Sequence, residues 1–334
     1  MMVKIGVNGF GRIARAVIRI AHYREDVEVV AVNSDRDPEL LAHLLKYDSL
    51  YGELSEDVTP GKDYLMVGDN KINLLGDRNP ENLNWDDYDV EVVIEATGKF
   101  RDRNDAQKHL GDKVKRVVIS APGKNEDLTV VMGVNEQNFD PDRHFVLSNA
   151  SCTTNCLAPL VKVLDENFGV SKGMMTTVHS YTMDQQLLDG SHKDIRRARA
   201  ANLSIIPTTT GAAKAVSKVL PHLEGRLDGM AFRVPTPTVS TVDLVANLNK
   251  NTSKEEINEA FREASQSKLK GILDYTDLPL VSADYTGNPH STIIDGLSTG
   301  MVDDNMVKVI AWYDNEWGYS ERTVDLCSYI SQKS

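Results

Sequence analysis

The sequence predicts an α/β protein with a parallel-sheet domain over residues 1–150 and an α+β domain with a mixed or antiparallel sheet over residues 151–315. In the first half, near-continuous β-branched runs alternate with helical patterns, which is typical of a parallel sheet buried on both faces. In the second half the strand-like runs are longer and often alternate in polarity, which favours a mixed or antiparallel sheet. A chain of 334 residues is long enough for two such domains.

The first domain begins with a predicted strand, turn and helix. Val3–Asn8 has the pattern of a buried strand, and Arg12–His22 places its apolar side chains on one face at helical spacing. Further strands are predicted at Val27–Asn33, Val90–Ala96, Val117–Ser120, Val130–Val134 and Phe145–Leu147. This order of elements indicates the strand–helix–strand connections of a parallel sheet.

The second domain is predicted from longer strand patterns and one helix. Its strands are expected at Met174–Thr182, Met230–Pro235, Thr241–Leu248 and Val307–Tyr313. Lys254–Ser265 carries a single apolar stripe and is predicted to be a helix. No Pro- or Ser-rich linker separates the two halves, so the domains are expected to follow each other directly.

Composition excludes several classes of function. The net charge of −12 argues against a basic nucleic-acid-binding face, so no specific nucleic-acid partner is expected. No apolar run reaches the length of about 18 residues that a membrane helix needs. The N-terminus enters a strand at once, so we expect no signal peptide. The 3 cysteines do not suggest a disulfide framework, and we expect a cytoplasmic protein without a metal site.

A glycine-rich loop joins the first strand to the first helix. The segment from Gly9 to Ala14 matches G-x-G-x-x-G/A in the strand–helix context that this motif requires. Gly9 permits the tight turn, and Gly11 lets the backbone approach a pyrophosphate at the positive end of the helix. We therefore predict that the first domain is of the Rossmann type and binds a dinucleotide.

The end of the second strand bears on the choice of dinucleotide. In such domains an acidic residue here binds the ribose hydroxyls of NAD. This chain has Ser34, Asp35 and Arg36, which leaves three interpretations open. Asp35 can keep the NAD role, or Ser34 and Arg36 can receive the 2′-phosphate of NADP. Solvated loop charges are the third interpretation.

Cys152 is the candidate nucleophile. It follows the last strand of the first domain, and Ser151 is a plausible N-cap, which places Cys152 in the first turn of a helix. The helix dipole at that position is expected to favour the thiolate and to lower the pKa of Cys152. Cys156, one turn further, is interpreted as a small core residue.

A base and an anion site are predicted further along the chain. His179 lies in the polar strand pattern TTVHSYT and is the candidate partner of the thiol. Arginines follow at 196, 197 and 199, and Thr210-Gly211 opens a small-residue helix whose hydroxyls and amides suit a phosphate. Arg233 adds a guanidinium suited to bidentate phosphate contact.

Together these motifs resemble the phosphorylating glyceraldehyde-3-phosphate dehydrogenases. The resemblance extends over almost the whole chain, on the segments NGFGRIAR, HLLKYDS (43–49), EATGKF (95–100), SNASCTTNCLAP, TTVHSYT, HKDIRRARA (192–200), IIPTTTGAAKAV, RVPTP (233–237) and WYDNEWGYS (312–320). It implies oxidation of D-glyceraldehyde 3-phosphate through a thioester on Cys152, with His179 as general base and inorganic phosphate as the second substrate.

The resemblance also assigns binding roles residue by residue. Thr182 and Arg233 match the substrate-phosphate site of the family. The positions that match its inorganic-phosphate site are Ser151, Thr153, Thr210 and Gly211, with Arg197 nearby. The positions that match its dinucleotide contacts, beyond the glycine loop, are Arg12, Ile13, Arg78, Ser120 and, for the nicotinamide carboxamide, Asn315.

Two departures from the family pattern concern the cofactor, and one concerns the substrate. NAD-specific members carry Asp in place of Ser34 and Leu-Pro in place of Gly190-Ser191, whereas members that accept NADP resemble this chain at both places. We therefore predict use of NADP through Ser34, Arg36 and Ser191, with NAD also accepted. Met183 replaces an Asn that often follows the equivalent of Thr182.

The resemblance further implies a homotetramer, and a C-terminal helix within 316–334 that returns to the first domain. Two other functions compete with the main prediction. One is a related dehydrogenase acting on erythrose 4-phosphate. The other is a redox-sensing or RNA-binding relative that has lost catalysis, against which the Cys152/His179 pair and the acidic charge both argue.

Overall fold

The computed structural model describes residues 2–333. The chain divides into two compact units. One holds the described residues up to Ser151 together with those from Ser320 onward, and the other is Cys152–Tyr319. Within residues 2–333, no helix has both the length and the apolar character that crossing a membrane requires.

The first unit alternates helices with strands. Its helices are α1 Arg12–His22, α2 Pro38–Lys46 and α3 Arg103–Ala106. Its strands are β1 Val3–Asn8, β2 Val27–Asn33, β3 Tyr47–Asp48, β4 Gly52–Glu53, β5 Val58–Pro60, β6 Tyr64–Val67, β7 Asn70–Leu75, β8 Val92–Glu95, β9 Arg116–Ile119, β10 Leu128–Thr129 and β11 Val146–Ser148. The predicted bounds of the first strand, the first helix and the second strand agree with β1, α1 and β2.

The main sheet of this unit has the strand order β10-β11-β9-β8-β1-β2-β7-β6-β5. Strands β10 to β7 pair in parallel, and β6 and β5 continue the edge in antiparallel pairing. The order reverses beside β1, and ligands of open α/β sheets bind at the strand ends of such a reversal. The prediction of a Rossmann-type parallel sheet is confirmed.

One predicted strand of this unit is wrong. Residues 130–134 form a turn instead of a strand, and the short strand β10 precedes them. The Asn135 side chain accepts a hydrogen bond from Val131 N (2.9 Å) and donates to Thr129 O (2.9 Å). Because this side chain takes the place of strand partners, and Gly133 has a φ of 80°, the apolar run folds back on itself.

The second unit consists of a mixed sheet and its helices. Its helices are α4 Cys152–Phe168, α5 Ala212–Val219, α6 Lys254–Gln266 and the beginning of α7 Trp317–Lys333. Its strands are β12 Val170–Ser180, β13 Ile206–Thr209, β14 Leu227–Val234, β15 Ser240–Leu248, β16 Leu273–Thr276, β17 Thr292–Asp295, β18 Gly300–Val302 and β19 Met306–Tyr313. From Ser320 onward α7 belongs to the first unit, where Asp325 pairs with Arg24 (2.5 Å).

The sheet of the second unit runs β13-β14-β12-β15-β19-β17-β16, with β18 beside β19. The pairs β12·β14 and β16·β17 are parallel and the others are antiparallel, so the predicted mixed sheet is confirmed. The register of β12 against β14 sets His179 opposite Arg233. Two residues singled out from the sequence are therefore held side by side by backbone hydrogen bonds.

Gly229 makes this pairing sensitive to substitution. A Cβ atom at Gly229 would lie 2.2 Å from the carbonyl oxygen of Met175 on β12. We expect Gly229→Ala to lower the free energy of unfolding by about 1–3 kcal/mol, because backbone must move to admit the methyl group. Thermal unfolding checks this, with Gly300→Ala as the control, since a Cβ there meets only Lys308 Cβ at 3.7 Å. Equal midpoints for both variants would contradict it.

Candidate active site

The glycine loop of the first unit borders a cavity. Gly9 has a φ of 109°, and Gly11 precedes α1 without a side-chain cap on the first amides of the helix. A Cβ at Gly11 would meet no atom within 4 Å, so the backbone there is open to a ligand. The cavity has a volume of about 660 Å³ and is lined by residues of the first unit, among them Asn8, Gly9, Gly11, Asn33, Ser34, Asp35, Arg36, Asp77, Arg78 and Thr97. Its size, glycines and helix end fit a dinucleotide.

Three of the residues expected to choose between NAD and NADP, Ser34, Asp35 and Arg36, line this cavity. Arg78 donates to the Asp35 carboxylate from Nη2 (2.6 Å) and Nε (2.9 Å), and these bonds hold the pKa of Asp35 below its ordinary value. The Ser34 hydroxyl accepts a bond from Arg36 N (3.4 Å), while the Arg36 guanidinium is largely exposed. The Asp35 carboxylate is thus held by Arg78, and a hydroxyl and a cation remain beside it.

Other residues predicted to contact the dinucleotide lie around the loop. Arg12 pairs with Asp48 (2.7 Å), and Ile13 is half-buried beside it in α1. The Ser120 hydroxyl donates to Glu95 O (3.0 Å). Arg12, Ile13 and Ser120 are not among the described residues that line the cavity. Ser191 lies in the second unit, exposed on an irregular loop, where its carbonyl accepts from Gln186 (3.4 Å).

The second unit brings the candidate nucleophile and base together. Cys152 is the first residue of α4 and is partly exposed, and His179 lies near the end of β12 and is buried. Cys152 Sγ lies 3.4 Å from His179 Nε2, within hydrogen-bonding reach for sulfur. Cys156 is fully buried, its Sγ donates to Thr292 (3.5 Å), and burial raises the pKa of its thiol to about 12. Of the two neighbouring cysteines, only Cys152 can act as a nucleophile.

The contacts of His179 Nδ1 decide the tautomer of the ring. Nδ1 lies 2.7 Å from the Ser180 carbonyl and 2.9 Å from Arg233 Nη1. A carbonyl only accepts, so a contact of 2.7 Å requires a hydrogen on Nδ1. Arg233 Nη1 can direct its two hydrogens to Ser180 O (2.9 Å) and Thr182 Oγ1 (3.0 Å). Nε2 therefore carries the lone pair, and it faces the thiol as a proton acceptor.

The protonation of this pair differs from the sequence prediction. Burial raises the pKa of the Cys152 thiol, and Arg233 and Thr153 only partly offset this effect. Burial and the Arg233 charge lower the pKa of His179 to about 3. The expectation that the helix N-terminus lowers the pKa of Cys152 is therefore wrong, because desolvation outweighs it. The resting pair is a neutral thiol beside a neutral imidazole.

A cluster of charged and hydroxyl groups surrounds Arg233. Thr182 accepts from Arg233 and donates to Asp184, and Asp184 accepts from Arg197 (2.8 Å). Arg197 also donates to Thr208 (3.0 Å). Among the described residues, Arg233 forms no ion pair, and its buried Nε has no hydrogen-bond partner. Its guanidinium thus keeps capacity for an anion, whereas the charge of Arg197 is shared with a carboxylate.

The remaining predicted residues lie in α4 or on other segments of the chain. The Thr153 hydroxyl contacts Tyr313 Oη (2.9 Å) and is buried, so it is already engaged within the protein. Thr210 Oγ1 accepts from Ala212 N (3.2 Å) and Gly211 is exposed at the beginning of α5. Asn315 is buried and its side-chain oxygen accepts from Ser240 (2.9 Å). Ser151 is half-buried directly before α4.

Sequence reasoning missed two members of this site. Asp184 links Thr182 to Arg197, and Tyr313 bridges the hydroxyls of Thr153 and Thr177 (2.9 and 3.0 Å). Tyr313 is part of the segment WYDNEWGYS, but nothing in its spacing indicates a partner on α4. Both roles depend on where separate segments meet in the fold.

Comparison with known proteins gives consistent matches. The profile of the glyceraldehyde 3-phosphate dehydrogenase NAD binding domain matches residues 3–103, and that of the C-terminal domain matches residues 151–315. The chain is 59% identical over 333 residues to glyceraldehyde-3-phosphate dehydrogenase of Geobacillus stearothermophilus, covering 100% of this chain and 99% of that one. It is 56% identical over 333 residues to glyceraldehyde-3-phosphate dehydrogenase 2 of Bacillus subtilis, covering 100% and 98%. The corresponding enzyme of Nostoc is 53% identical over 335 residues, covering 99% of each.

Proposed function

Because the chain belongs to the glyceraldehyde-3-phosphate dehydrogenase family, we propose that it oxidises and phosphorylates D-glyceraldehyde 3-phosphate reversibly to 1,3-bisphosphoglycerate. The observation that carries this proposal is the contact of 3.4 Å between Cys152 Sγ and the acceptor nitrogen of His179, with Arg233 behind the imidazole. This arrangement provides a thiol, a neutral base and a cation with spare donors in one place.

In the proposed reaction Cys152 Sγ attacks the aldehyde carbon while His179 Nε2 takes the thiol proton. The amide of Cys152, at the beginning of α4, stabilises the oxygen of the hemithioacetal. His179 returns that proton to the oxygen, which gives the hemithioacetal. A nicotinamide bound in the dinucleotide site would accept the hydride from the former aldehyde carbon, and His179 takes the hydroxyl proton as the hemithioacetal becomes a thioester. An oxygen of inorganic phosphate then displaces the sulfur as a thiolate, which gives the acyl phosphate, and the proton held by His179 restores the thiol.

The proposal includes two anion sites. Arg233 and Thr182, which are joined by a hydrogen bond of 3.0 Å, bind the phosphate of the aldehyde. This assignment is supported by the absence of an ion pair on Arg233 among the described residues. Inorganic phosphate is assigned to Ser151, Thr153, Thr210, Gly211 and Arg197. The exposed N-terminus of α5 supports this second site, because the backbone N–H groups at the beginning of a helix favour a negatively charged group.

The cofactor is proposed to be NADP, with NAD also accepted. Family membership supports nicotinamide dinucleotide use in general. The Asp35 carboxylate is held by Arg78, and Ser34 presents a hydroxyl in the cavity where a carboxylate would repel a 2′-phosphate. Arg36 and Ser191 supply a cation and a further hydroxyl, and Asn315 binds the nicotinamide carboxamide. Residues Gly9, Gly11, Arg12, Ile13, Arg78 and Ser120 complete the proposed contacts.

Replacing Ser34 by aspartate should raise the KM for NADP relative to that for NAD by about 5- to 150-fold, the effect of about 1–3 kcal/mol of charge repulsion. Steady-state kinetics with both dinucleotides measure the ratio. Ser34→Asn is the control, since it has the size of aspartate without the charge. The cofactor proposal is wrong if the unmodified chain has a far lower KM for NAD and Ser34→Asp leaves the ratio unchanged.

The substrate is tested by comparing kcat/KM for glyceraldehyde 3-phosphate and erythrose 4-phosphate at fixed phosphate and dinucleotide. A higher value for the first, with reduced dinucleotide formed only when phosphate is present, supports the proposal. Preference for erythrose 4-phosphate would assign the chain to the related activity. No phosphate-dependent turnover at all would favour a non-catalytic relative.

We also propose a cytoplasmic homotetramer that serves glycolysis or gluconeogenesis. The loop between β12 and β13 exposes a set of large apolar side chains, Met183, Leu187, Leu188, Ile195, Leu203 and Ile205. Surfaces of this kind commonly pack against another chain. Light scattering of the purified chain tests the assembly, and a monomer would contradict it.

A further inference from the structure

A continuous chain of buried hydrogen bonds lies beneath the dinucleotide cavity. We call it the buried polar chain. Its links join Trp85 Nε1 to His109 Nδ1 (3.1 Å), His109 Nε2 to Glu95 Oε2 (3.2 Å), Asn8 Nδ2 to Glu95 Oε2 (2.5 Å), Asn33 Nδ2 to Asn8 Oδ1 (2.7 Å) and Asp77 N to Asn33 Oδ1 (3.2 Å). The side chains of Glu95 and His109 are completely inaccessible to solvent.

The direction of each hydrogen bond follows from the first link. An indole N–H can only donate, so Trp85 requires Nδ1 of His109 to accept. The hydrogen of the imidazole is then on Nε2, where it donates to Glu95. Asn8 must point its amide nitrogen at Glu95, since its oxygen accepts from Asn33. The contact of 3.3 Å between Asn8 Nδ2 and His109 Nε2 is therefore between two donors and is not a hydrogen bond.

The buried polar chain ends on the walls of the cavity. Asn8, Asn33 and Asp77 line it, whereas Trp85 and His109 are not among its described lining residues. Glu95 also accepts bonds from the amide (2.8 Å) and the hydroxyl of Thr97, which lines the same cavity. The Glu95 carboxylate therefore holds Asn8 on β1 and Thr97 after β8 in place. Asn33 is hydrogen-bonded to Asn8 and in turn holds the backbone at Asp77.

Removal of the His109 donor would leave the buried Glu95 carboxylate with less stabilisation. Burying a charge without its hydrogen bonds is costly, so Glu95 would turn toward the remaining donors on Asn8 and Thr97. Both of those residues border the ligand. Dinucleotide binding would therefore weaken. The site around Cys152 would change less, because it is built from other residues.

We propose that His109 and Trp85 are positioning residues of the dinucleotide site, which act through Glu95 to hold Asn8 and Thr97 in the binding arrangement. This inference rests on the proposed function, because it takes the cavity to be the dinucleotide site. Neither residue touches the cofactor in this scheme. Their effect is on affinity rather than on the chemical step.

The test is His109→Phe, which keeps an aromatic ring and removes both hydrogen bonds. We expect Kd and KM for the dinucleotide to rise about 10- to 100-fold, as when partners behind metal ligands are removed, while kcat at saturation changes much less. Isothermal titration and steady-state kinetics measure the two effects. Trp85→Phe removes the indole N–H together with the second ring of the indole, and leaves the bond from His109 to Glu95 in place. It should shift Kd in the same direction by less, and it is the second test if His109→Phe does not fold.

Val114→Ala is the matched control. Val114 packs in the same apolar cluster as Trp85, so its truncation lowers stability while every hydrogen-bonding group of the buried polar chain is retained. The inference is supported if Val114→Ala lowers the melting temperature and leaves Kd unchanged. It is overturned if His109→Phe and Trp85→Phe bind the dinucleotide as the unmodified chain does, or if Val114→Ala weakens binding equally. An unmodified chain that binds no dinucleotide would contradict the proposed function as well.

Discussion

Replacing Cys152 by serine should reduce kcat by about 10⁴- to 10⁶-fold, as the loss of a nucleophile does in other covalent enzymes. The structure explains why a hydroxyl cannot substitute for the thiol. The base that faces position 152 is a neutral imidazole, and a serine hydroxyl is a much weaker acid and a poorer nucleophile than a thiol. Single-turnover and steady-state formation of reduced dinucleotide measure the loss.

Cys156→Ala is the matched control for this experiment. Cys156 lies one helical turn further along α4, but its sulfur is fully buried and donates to Thr292, so its removal should leave turnover intact. Dinucleotide binding by Cys152→Ser shows that the first unit is folded, because the cavity is lined by residues of that unit. An unchanged thermal unfolding profile shows that the second unit, which holds position 152, is folded as well. Retained turnover in Cys152→Ser would rule out the thioester mechanism.

The elements of the first unit were the most predictable part of the fold. In a parallel sheet both faces are buried, so its strands are marked by continuous apolar runs, as Val3–Asn8 and Val27–Asn33 are. The run Val130–Val134 has the same composition and forms a turn. The reason is a side chain, Asn135, whose amide satisfies the backbone groups that a neighbouring strand would have bonded. The spacing of apolar residues does not reveal a side chain that competes for the backbone hydrogen bonds of a strand.

The candidate site was predictable in its residues but not in its electrostatics. Cys152 and His179 could be named from their motifs, and the structure brings them within 3.4 Å. Their pKa directions depend on how completely the surrounding protein removes water and on the position of Arg233, which only the packed structure provides. The prediction that Cys152 lies in the first turn of a helix was correct. The lowering of its pKa by the helix dipole was overestimated, because desolvation raises the pKa by more.

The arginines show how an acidic chain can bind anions selectively. Arg12, Arg78 and Arg197 each pair with a carboxylate, so an incoming phosphate must compete for them. Arg233 has hydroxyl and carbonyl partners and, among the described residues, no carboxylate partner, so its charge is available without breaking an ion pair. The composition gave the net charge but could not indicate which arginine would stay available.

Replacing His179 by asparagine should reduce kcat by about 10²- to 10⁴-fold at neutral pH, the usual contribution of a general base. The shape of the pH profile should change as well. In the unmodified chain the imidazole, with a pKa lowered to about 3, is unprotonated throughout the neutral range and is present in the form that can take the thiol proton. Burial raises the pKa of Cys152 above its ordinary value of 9.0, so without the base only the small thiolate fraction reacts. That fraction grows about tenfold per pH unit below the pKa, so log kcat/KM should rise with a slope of about one through pH 9.

His222→Asn, which removes a surface partner of Asp165, should keep the normal profile. If His179→Asn kept that profile too, His179 would not be the base, and the proton of Cys152 would have to leave by another route.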